Sequence, residues 1–137
     1  MIYADIGSLS AMENFGCEMY FATEAGLSDT VFLLWSTTPT VMLGKYQNAL
    51  EEIDRAYVEK NAIAVIRRMS GGGTIYTDPG GLQFSYIVPD SSPSIDFSAF
   101  VTPVTRALSA LGLDAAADGR NDILVSGKKV SGNAQYK

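Results

Sequence analysis

Residues 67–74 read Arg-Arg-Met-Ser-Gly-Gly-Gly-Thr and lie between two short apolar runs that are typical of β-strands. Glycine adopts positive φ at little cost and has no Cβ to hold a ligand away. A bare backbone whose N–H groups turn to one side forms a concave site for an anion. Two guanidiniums beside it add fixed charge and planar donors for phosphate or carboxylate. Glycine clusters also mark flexible turns, but a tight hairpin needs only one or two glycines, so the run favours an anion- or nucleotide-binding loop.

The apolar runs and turns on either side of this segment predict an α+β fold. Several short runs are rich in β-branched and aromatic residues and are bounded by turn residues, as strands are. The predicted strands are Val31–Trp35, 41–43, 62–66, 74–76, 82–88 and a closing hairpin of 123–125 with residues from 129 onward. Because hairpins dominate this order, we expect one domain of 137 residues with a mostly antiparallel or mixed β-sheet flanked by helices.

Three helices are predicted beside these strands, over 11–24, 49–60 and 103–111. Ser10 and Glu13 form a capping box for the first. Its apolar residues recur at helical spacing, and they are Met12, Phe15, Met19 and Ala22. Asn48 is a favourable N-cap for the second helix. Pro103 suits the first position of the third helix or of that helix's second segment, and Gly112 would close the helix.

Composition excludes several kinds of chemistry. The chain has no histidine and one cysteine, Cys17, which excludes Ser-His-Asp and Cys-His catalysis and metal sites built from His or Cys. The net charge of −5 argues against nucleic-acid binding. No run of about 18 apolar residues is present, so no membrane span is expected. The first residues lack the pattern of a signal peptide and the single cysteine cannot form an internal disulfide, so a cytoplasmic protein is expected.

The positive charges are concentrated around glycine-containing segments. Six of the ten basic residues lie in or beside such segments, and they are Lys45, Arg67, Arg68, Arg120, Lys128 and Lys129. An acidic protein that gathers its cations around bare backbone is expected to have a cationic cleft. Chance clustering on a solvated surface is the alternative.

A second glycine-containing segment, residues 43–48, joins a predicted strand to a predicted helix and reads Leu-Gly-Lys-Tyr-Gln-Asn. Gly44 permits close approach of another group, and Gln47 offers an amide. Taken alone, the segment favours a structural reading in which Asn48 caps the helix and Gly44 serves the turn.

A third segment, residues 119–135, carries two lysines, a serine and several glycines around one predicted strand. Strict alternation places Lys129, Ser131 and Asn133 on one face, with Lys128 in the turn. A lysine on a small, polar strand face is suited to meet a phosphate or a carbonyl. The alternative is an exposed edge strand that lysine protects from aggregation. Asp122 is a candidate partner for a lysine or for Mg²⁺. The alternative is that it is simply a turn residue.

Together, the three segments resemble motifs of the lipoate–protein ligases, within the biotin/lipoate protein ligase family. The matching residues are Gly-Lys-x-Gln-Asn at 44–48, Arg-Arg-Met-Ser-Gly-Gly-Gly-Thr-Ile-Tyr-x-Asp at 67–78, Asn-Asp-Ile at 121–123 and Gly-Lys-Lys-Val-Ser-Gly-Asn-Ala-Gln at 127–135. They occur in the family's order and at similar separations. The resemblance covers nearly the whole chain.

The resemblance implies a catalytic domain whose α+β fold is shared with biotin ligases and octanoyltransferases. Such an enzyme activates lipoate with ATP and Mg²⁺ to lipoyl-adenylate and passes the lipoyl group to a lysine of a carrier domain. The implied carriers are the lipoyl domains of 2-oxoacid dehydrogenase complexes or the glycine-cleavage H protein. Family members continue through further strands, so residues 1–137 are expected to be the N-terminal part of a catalytic domain that is incomplete at its C-terminus.

The resemblance also implies roles for particular residues. Lys129 would be the catalytic lysine, and Asp122 a candidate Mg²⁺ ligand. The residues implied to bind lipoyl-adenylate or ATP are Arg68, Ser70, Gly71, Gly72, Gly73, Thr74, Gly44, Gln47, Asp78, Asn121 and Asp122. These groups suit the chemistry, since adenylation needs the charge on the α-phosphate to be neutralised as pyrophosphate leaves.

The chain departs from the commoner family pattern at two positions, with Thr77 in place of histidine and Gly81 in place of asparagine. Two alternative functions stay open. One is a cysteine-dependent octanoyl or lipoyl transferase of the same fold, for which Cys17, inside a predicted helix, is a poor nucleophile. The other is a lipoate-binding protein without catalytic activity.

Overall fold

The computed structural model describes residues 1–7, 10–89, 96–119 and 121–137, which form an α+β fold. In chain order the elements are β1 (Ile2–Ala4), α1 (Ala11–Thr23), β2 (Val31–Trp35), β3 (Thr40–Leu43), α2 (Ala49–Glu52), α3 (Arg55–Lys60), β4 (Ala64–Arg67), β5 (Ile75–Thr77), β6 (Gln83–Ile87), α4 (Phe97–Ala110), β7 (Ala115–Asp118), β8 (Asp122–Val125) and β9 (Lys128–Gly132). Parallel and antiparallel pairs both occur, which confirms the predicted fold class. The chain divides into two compact units, Met1–Asp90 and Ser91–Lys137.

The first unit has a sheet of order β1-β2-β6 that packs against α1. β1 runs parallel to β2, and β6 runs antiparallel to it. The alternation of β2 buries Val31, Leu33 and Trp35, which join Ala11 of α1 and Met42 of β3 in the core. Burial of such side chains stabilises the unit, at about 1.5–3 kcal/mol for each large one.

Helix α1 forms where the capping box predicts, with the Ser10 side chain accepting from the Glu13 backbone. Of the apolar residues that recur along the helix, Phe15 packs against the core, whereas Met12 is 73% exposed. The buried positions of the helix are Ala11, Asn14 and Glu18. These three positions also have helical spacing. The Asn14 amide donates to the Ser36 carbonyl at 2.9 Å, and such a partner is what makes a buried polar side chain tolerable.

A second sheet in the same unit has the order β4-β3-β5, with β3 parallel to β4 and antiparallel to β5. Because β3 and β4 are parallel, their carboxyl ends lie side by side, and Leu43 pairs with Arg67. The segments that follow these two strands therefore leave the sheet at the same edge.

Two helices differ in their bounds from the predicted ranges 49–60 and 103–111. The helix predicted over 49–60 is two short helices, α2 and α3, because Ile53 is extended and Asp54 starts a new helix by accepting from the Tyr57 backbone. Pro103 lies inside α4 rather than at its start, since Asp96 caps the helix by accepting from two backbone N–H groups. Gly112 follows the helix with φ of +86°, as predicted for a closing glycine.

The second unit comprises α4 and an antiparallel sheet of order β7-β8-β9. β7 was not predicted, because a run of alanines carries no strand signature. A register shift next to Ile123 places Ser131 opposite Ile123 and Lys129 opposite Leu124. Consecutive residues of β8 point to opposite faces of the sheet, so Lys129 and Ser131, which lie opposite them, are also on opposite faces. The prediction from strict alternation that these two residues share a face is therefore wrong.

Lys128 lies in β9 opposite Val125, not in the turn as predicted. The turn itself is formed by Ser126 and Gly127, both of which have positive φ. Arg120 and residues 90–95 lie outside the described residues. Within the described part of the chain, no helix has the length and apolar character that crossing a membrane requires.

Candidate functional site

Two segments leave the β4-β3-β5 sheet together and interlock. We call residues 70–74 the glycine loop and residues 44–48 the preceding turn. The Arg68 backbone N–H donates to the Leu43 carbonyl at 3.0 Å, and the Lys45 N–H donates to the Ser70 carbonyl at 2.9 Å. Gln47 Oε1 accepts from the Gly44 N–H and from the Thr74 hydroxyl, both at 2.8 Å. The two segments therefore form one structural feature.

Arg67 holds the preceding turn in shape. Its Nη1 lies within hydrogen-bonding distance of three backbone carbonyls, those of Gly44 at 2.7 Å, Lys45 at 3.3 Å and Gln47 at 2.8 Å. Three carbonyls converge here because the turn curls around the guanidinium. Arg67 therefore has a structural role that the sequence did not reveal.

Arg68 holds the glycine loop in a similar way. Its guanidinium donates to the Ser70 hydroxyl at 3.1 Å and to three carbonyls, those of Met42 at 2.9 Å, Gly71 at 3.0 Å and Gly73 at 2.6 Å. Burial lowers the pKa of the guanidinium, which nevertheless stays charged at neutral pH. Four of its five N–H groups thus donate hydrogen bonds within the protein, and its positive charge lies beside the glycine loop. A direct contact with ligand stays a prediction.

The contacts of the loop carbonyls turn its N–H groups away from the protein. The carbonyls of Gly71 and Gly73 point to Arg68, and that of Gly72 points to Gly44. In a trans peptide the carbonyl and the following N–H point in opposite directions. The N–H groups of Gly72 and Gly73 therefore face away from Gly44 and Arg68, and among the described residues neither donates a hydrogen bond. Both glycines are exposed, as an anion site requires.

Gly44 is needed for the close approach of the two segments. A Cβ at this position would lie 1.9 Å from the Gly72 carbonyl oxygen. Gly72 itself has φ of +94°, a conformation that favours glycine. The sequence predicted close approach at Gly44, and in the structure the group that approaches is the loop backbone.

The structure thus brings most of the predicted ligand-binding residues of the first unit together: Arg68, Ser70, Gly71, Gly72, Gly73 and Thr74 with Gly44 and Gln47. Asp78 is not among them, because it follows the other end of β5. Its carboxylate accepts from the Gly80 N–H at 2.9 Å, and its carbonyl accepts from Gly81 at 3.0 Å, as a turn residue does.

The predicted residues of the second unit form a separate cluster. Lys129 Nζ lies 2.9 Å from Asp122 Oδ1, and the lysine side chain is 57% exposed. Its end passes over Gly132, where a Cβ would lie 3.2 Å from Nζ. Asn121 and Asn133 each donate a side-chain hydrogen bond to the other's carbonyl at 2.7 Å. These bonds join the chain before β8 to the chain after β9.

The described residues contain no group of three or more acidic, Cys or His side chains that could hold a metal ion. Asp122 alone does not form a protein-only Mg²⁺ site, and one of its oxygens already contacts the Lys129 ammonium. Mg²⁺ that arrives with phosphates needs only one or two protein carboxylates. The metal role of Asp122 stays a prediction.

A buried carboxylate on α1 is a feature that the sequence did not reveal. Glu18 hydrogen-bonds to the Ser85 hydroxyl, which also accepts from Trp35 Nε1 at 3.0 Å. Burial raises the pKa of Glu18 above its ordinary 4.5, with the Ser85 hydrogen bond acting in the opposite direction. The signal in the sequence was the helical spacing of Ala11, Asn14 and Glu18.

This carboxylate predicts a pH dependence of stability. Because the pKa of Glu18 is higher in the folded state, its contribution is fully present below pH 4.5 and is lost as pH rises through the folded pKa. We expect Glu18→Gln to remove this loss and to be more stable than wild type at neutral pH, as measured by urea unfolding across the acid-to-neutral range. Glu52→Gln, at an exposed position, is the control. Equal destabilisation of Glu18→Gln at every pH would contradict this expectation.

The fold and the loop define a class of protein: an α+β domain with a glycine loop, carrying two exposed and unpaired backbone N–H groups among the described residues, at one edge of a mixed sheet. Comparison with known proteins is more specific. A family model described as the lipoyl protein ligase A/B catalytic domain matches residues 10–137. The chain is 44% identical over 124 residues to the lipoate-protein ligase LplJ of Bacillus subtilis, covering 90% of this chain and 38% of that protein.

Comparison with solved structures also finds lipoate protein ligases. A crystal structure of lipoate-protein ligase A bound with ATP superposes with a TM-score of 0.84 at 26% identity, over 97% of this chain and 59% of that one. A bipartite lipoate protein ligase from Thermoplasma acidophilum, studied with its E2 lipoyl domain, gives a TM-score of 0.76 at 28% identity, over 97% and 55%.

The chain belongs to the lipoyl protein ligase A/B catalytic domain family. It spans between 31% and 38% of the length of the curated relatives that it matches.

Proposed function

We propose that this chain is the N-terminal part of the catalytic domain of an ATP-dependent lipoate–protein ligase. The protein activates lipoate to lipoyl-adenylate and transfers the lipoyl group to a lysine of a carrier domain. The observation that carries the proposal is the pair of exposed N–H groups at Gly72 and Gly73, with the Arg68 charge behind them. Backbone donors held in place before the reaction need no reorganisation as charge develops.

In the first step, a carboxylate oxygen of lipoate attacks the α-phosphorus of ATP, and pyrophosphate leaves. The loop N–H groups donate to the phosphate oxygens of the adenylate, and Arg68 adds positive charge. Ser70 and Thr74 act mainly through the loop's shape, since the Ser70 hydroxyl accepts from Arg68 and the Thr74 hydroxyl donates to Gln47. Nucleotide contacts of Asp78 and Asn121 remain part of the proposal.

In the second step, the amine of the carrier lysine attacks the acyl carbonyl, loses a proton and displaces AMP. We propose that Lys129 stabilises the negative charge that develops in this chemistry. Asp122, whose Oδ1 lies 2.9 Å from Nζ, orients the lysine side chain. Mg²⁺ would be held mainly by the phosphates of ATP, and Asp122 is the proposed protein ligand.

The proposed partner is a lipoyl-carrier domain, of a 2-oxoacid dehydrogenase complex or the glycine-cleavage H protein. The support is that a related ligase from T. acidophilum was studied with its E2 lipoyl domain. We propose a cytoplasmic location on the basis of the single free cysteine, Cys17. Cell fractionation tests the location, and mass spectrometry of carrier domains tests the partner.

The function is tested by exchange of labelled pyrophosphate into ATP, catalysed by the complete protein. We expect exchange that depends on lipoate, followed by lipoylation of a carrier domain. Transfer from an octanoylated carrier without ATP would identify a cysteine-dependent transferase instead. Tight binding of lipoate with neither reaction would identify a binding protein. Either result would overturn the proposal.

A further inference from the structure

We propose that the carrier domain docks on an exposed apolar surface around the glycine loop, and that the ring of Tyr46 is its main contact. The surface consists of Tyr46, Leu50 and Met69, and we call it the loop rim. The inference rests on the proposed function and deepens it, because it locates the surface that receives the partner of the second step.

The side chains of the loop rim are highly exposed. Tyr46 is 83% exposed, more than any other large apolar or aromatic side chain among the described residues. Leu50, directly after the preceding turn in α2, is 73% exposed, and Met69, directly before the glycine loop, is 48% exposed. Single exposed apolar side chains are common. Three of them on or beside the interlocked segments form a group, and aromatic residues and methionine are enriched where proteins meet.

The turn that carries Tyr46 has a fixed backbone. The carbonyls of Lys45 and Gln47, on either side of it, lie 3.3 Å and 2.8 Å from Arg67 Nη1. The Lys45 ammonium lies 5.5 Å from the centroid of the tyrosine ring, as in a cation–π pair. The ring edge lies beside the loop, since Cε2 is 4.0 Å from the position of a Cβ at Gly71. A contact that is held in place before docking loses little freedom on binding.

The chemistry of transfer brings the carrier to this surface. In the adenylate, one oxygen joins the acyl carbonyl to the phosphorus that the N–H groups of Gly72 and Gly73 are proposed to hold. The carrier amine must contact that carbonyl, and a lysine side chain reaches only about 6 Å from its Cα. The carrier backbone therefore comes within about 12 Å of the loop N–H groups. A tyrosine ring also extends about 6 Å from its backbone, so Tyr46 is within reach of the docked carrier.

The charges beside the loop rim indicate what the carrier presents. Lys45 and Arg67 are exposed, and neither forms an ion pair among the described residues. Their positive charge favours a partner with the opposite charge, which also speeds its association. The carrier surface that fits the loop rim therefore has apolar side chains and acidic side chains beside the lysine that receives the lipoyl group.

The test is Tyr46→Ala in the complete protein, assayed with two acceptors. We expect kcat/KM for lipoyl transfer to a carrier domain to fall at least about 10-fold, through a higher KM. Transfer to hydroxylamine, a small amine that needs no docking, should be unchanged, and so should lipoate-dependent pyrophosphate exchange. Equal losses with both acceptors, or a loss of exchange, would place Tyr46 on the adenylate and overturn the proposal. Unchanged transfer to the carrier would overturn it as well.

Two further variants make the test specific. Tyr46→Phe keeps the ring and should have the wild-type KM for the carrier, whereas a loss equal to that of Tyr46→Ala would assign the contact to the hydroxyl and contradict an apolar surface. Tyr20→Ala is the matched control, because Tyr20 is 57% exposed and lies on α1, which packs against the other sheet. A loss of carrier transfer in Tyr20→Ala equal to that in Tyr46→Ala would show that the loop rim is not the docking surface.

Failure of the proposed function gives a different result. A wild type without lipoate-dependent exchange would refute that function. Calorimetric binding of a carrier domain to the wild type and to Tyr46→Ala compares docking without turnover. Weaker binding by the variant supports the docking surface, and equal affinities would overturn it while leaving the proposed function intact.

Discussion

Gly44→Ala is expected to destabilise the first unit by about 2–4 kcal/mol and to abolish binding of an adenylate analogue. The new Cβ would lie 1.9 Å from the carbonyl oxygen of Gly72 and 3.0 Å from its carbonyl carbon. Both are backbone atoms, so the clash cannot be relieved by a rotamer change. The glycine loop must move, and this separates its carbonyls from Arg68. Denaturant unfolding and calorimetry measure the two effects.

Gly73→Ala is the matched control. It lies in the same loop, it does not have positive φ, and a Cβ there would meet nothing within 4 Å. We expect a change in stability of less than about 1 kcal/mol, as for most substitutions away from special features. If Gly44→Ala and Gly73→Ala have the same stability, the two segments are not interlocked as described.

Lys129→Met is expected to lower the rate of lipoyl transfer by at least about 100-fold, the usual loss when a group that stabilises developing charge is removed. Methionine keeps the apolar stem of lysine and removes its charge. Stability should change by less than about 1 kcal/mol, because the pair with Asp122 is partly exposed, with the lysine side chain 57% exposed. Single-turnover transfer assays and thermal unfolding of the complete protein provide these quantities.

Lys128→Met tests whether the loss is specific. Lys128 is the adjacent residue of β9, is exposed and forms no ion pair among the described residues. We expect nearly normal transfer by this variant. Equal losses in the two variants would indicate that the reaction depends on the overall positive charge of this segment rather than on Lys129 itself. Normal turnover of Lys129→Met would refute the role proposed for this lysine.

Local signals in the sequence were enough to predict the fold class and the position of the loop. The capping box at Ser10, the alternation in β2 and the three glycines after β4 act over a few residues, so they can be interpreted without a partner. The differences between predicted and observed helix boundaries arise for the same reason, because each signal was interpreted locally. Pro103 is a favourable helix start, but Asp96 provides an earlier one by accepting from two backbone N–H groups.

The role of Arg68 could not be predicted in this way. Its hydrogen bonds to Met42, Gly71 and Gly73 exist because β3 and β4 are parallel neighbours and the loop folds back over them. Long-range pairing also decides which face of α1 is buried. Two sets of residues on that helix have helical spacing, and the set that packs inward includes Asn14 and Glu18, which find partners on Ser36 and Ser85.

The central claim is that the glycine loop binds the phosphate of the adenylate through its backbone. The most direct measurement is the amide proton shift of Gly72 and Gly73 by NMR, as the complete protein is titrated with a non-hydrolysable lipoyl-adenylate analogue. We predict large downfield shifts at both amides, since each gains a charged acceptor. Saturable binding of the analogue that leaves both amide signals in place would contradict the claim.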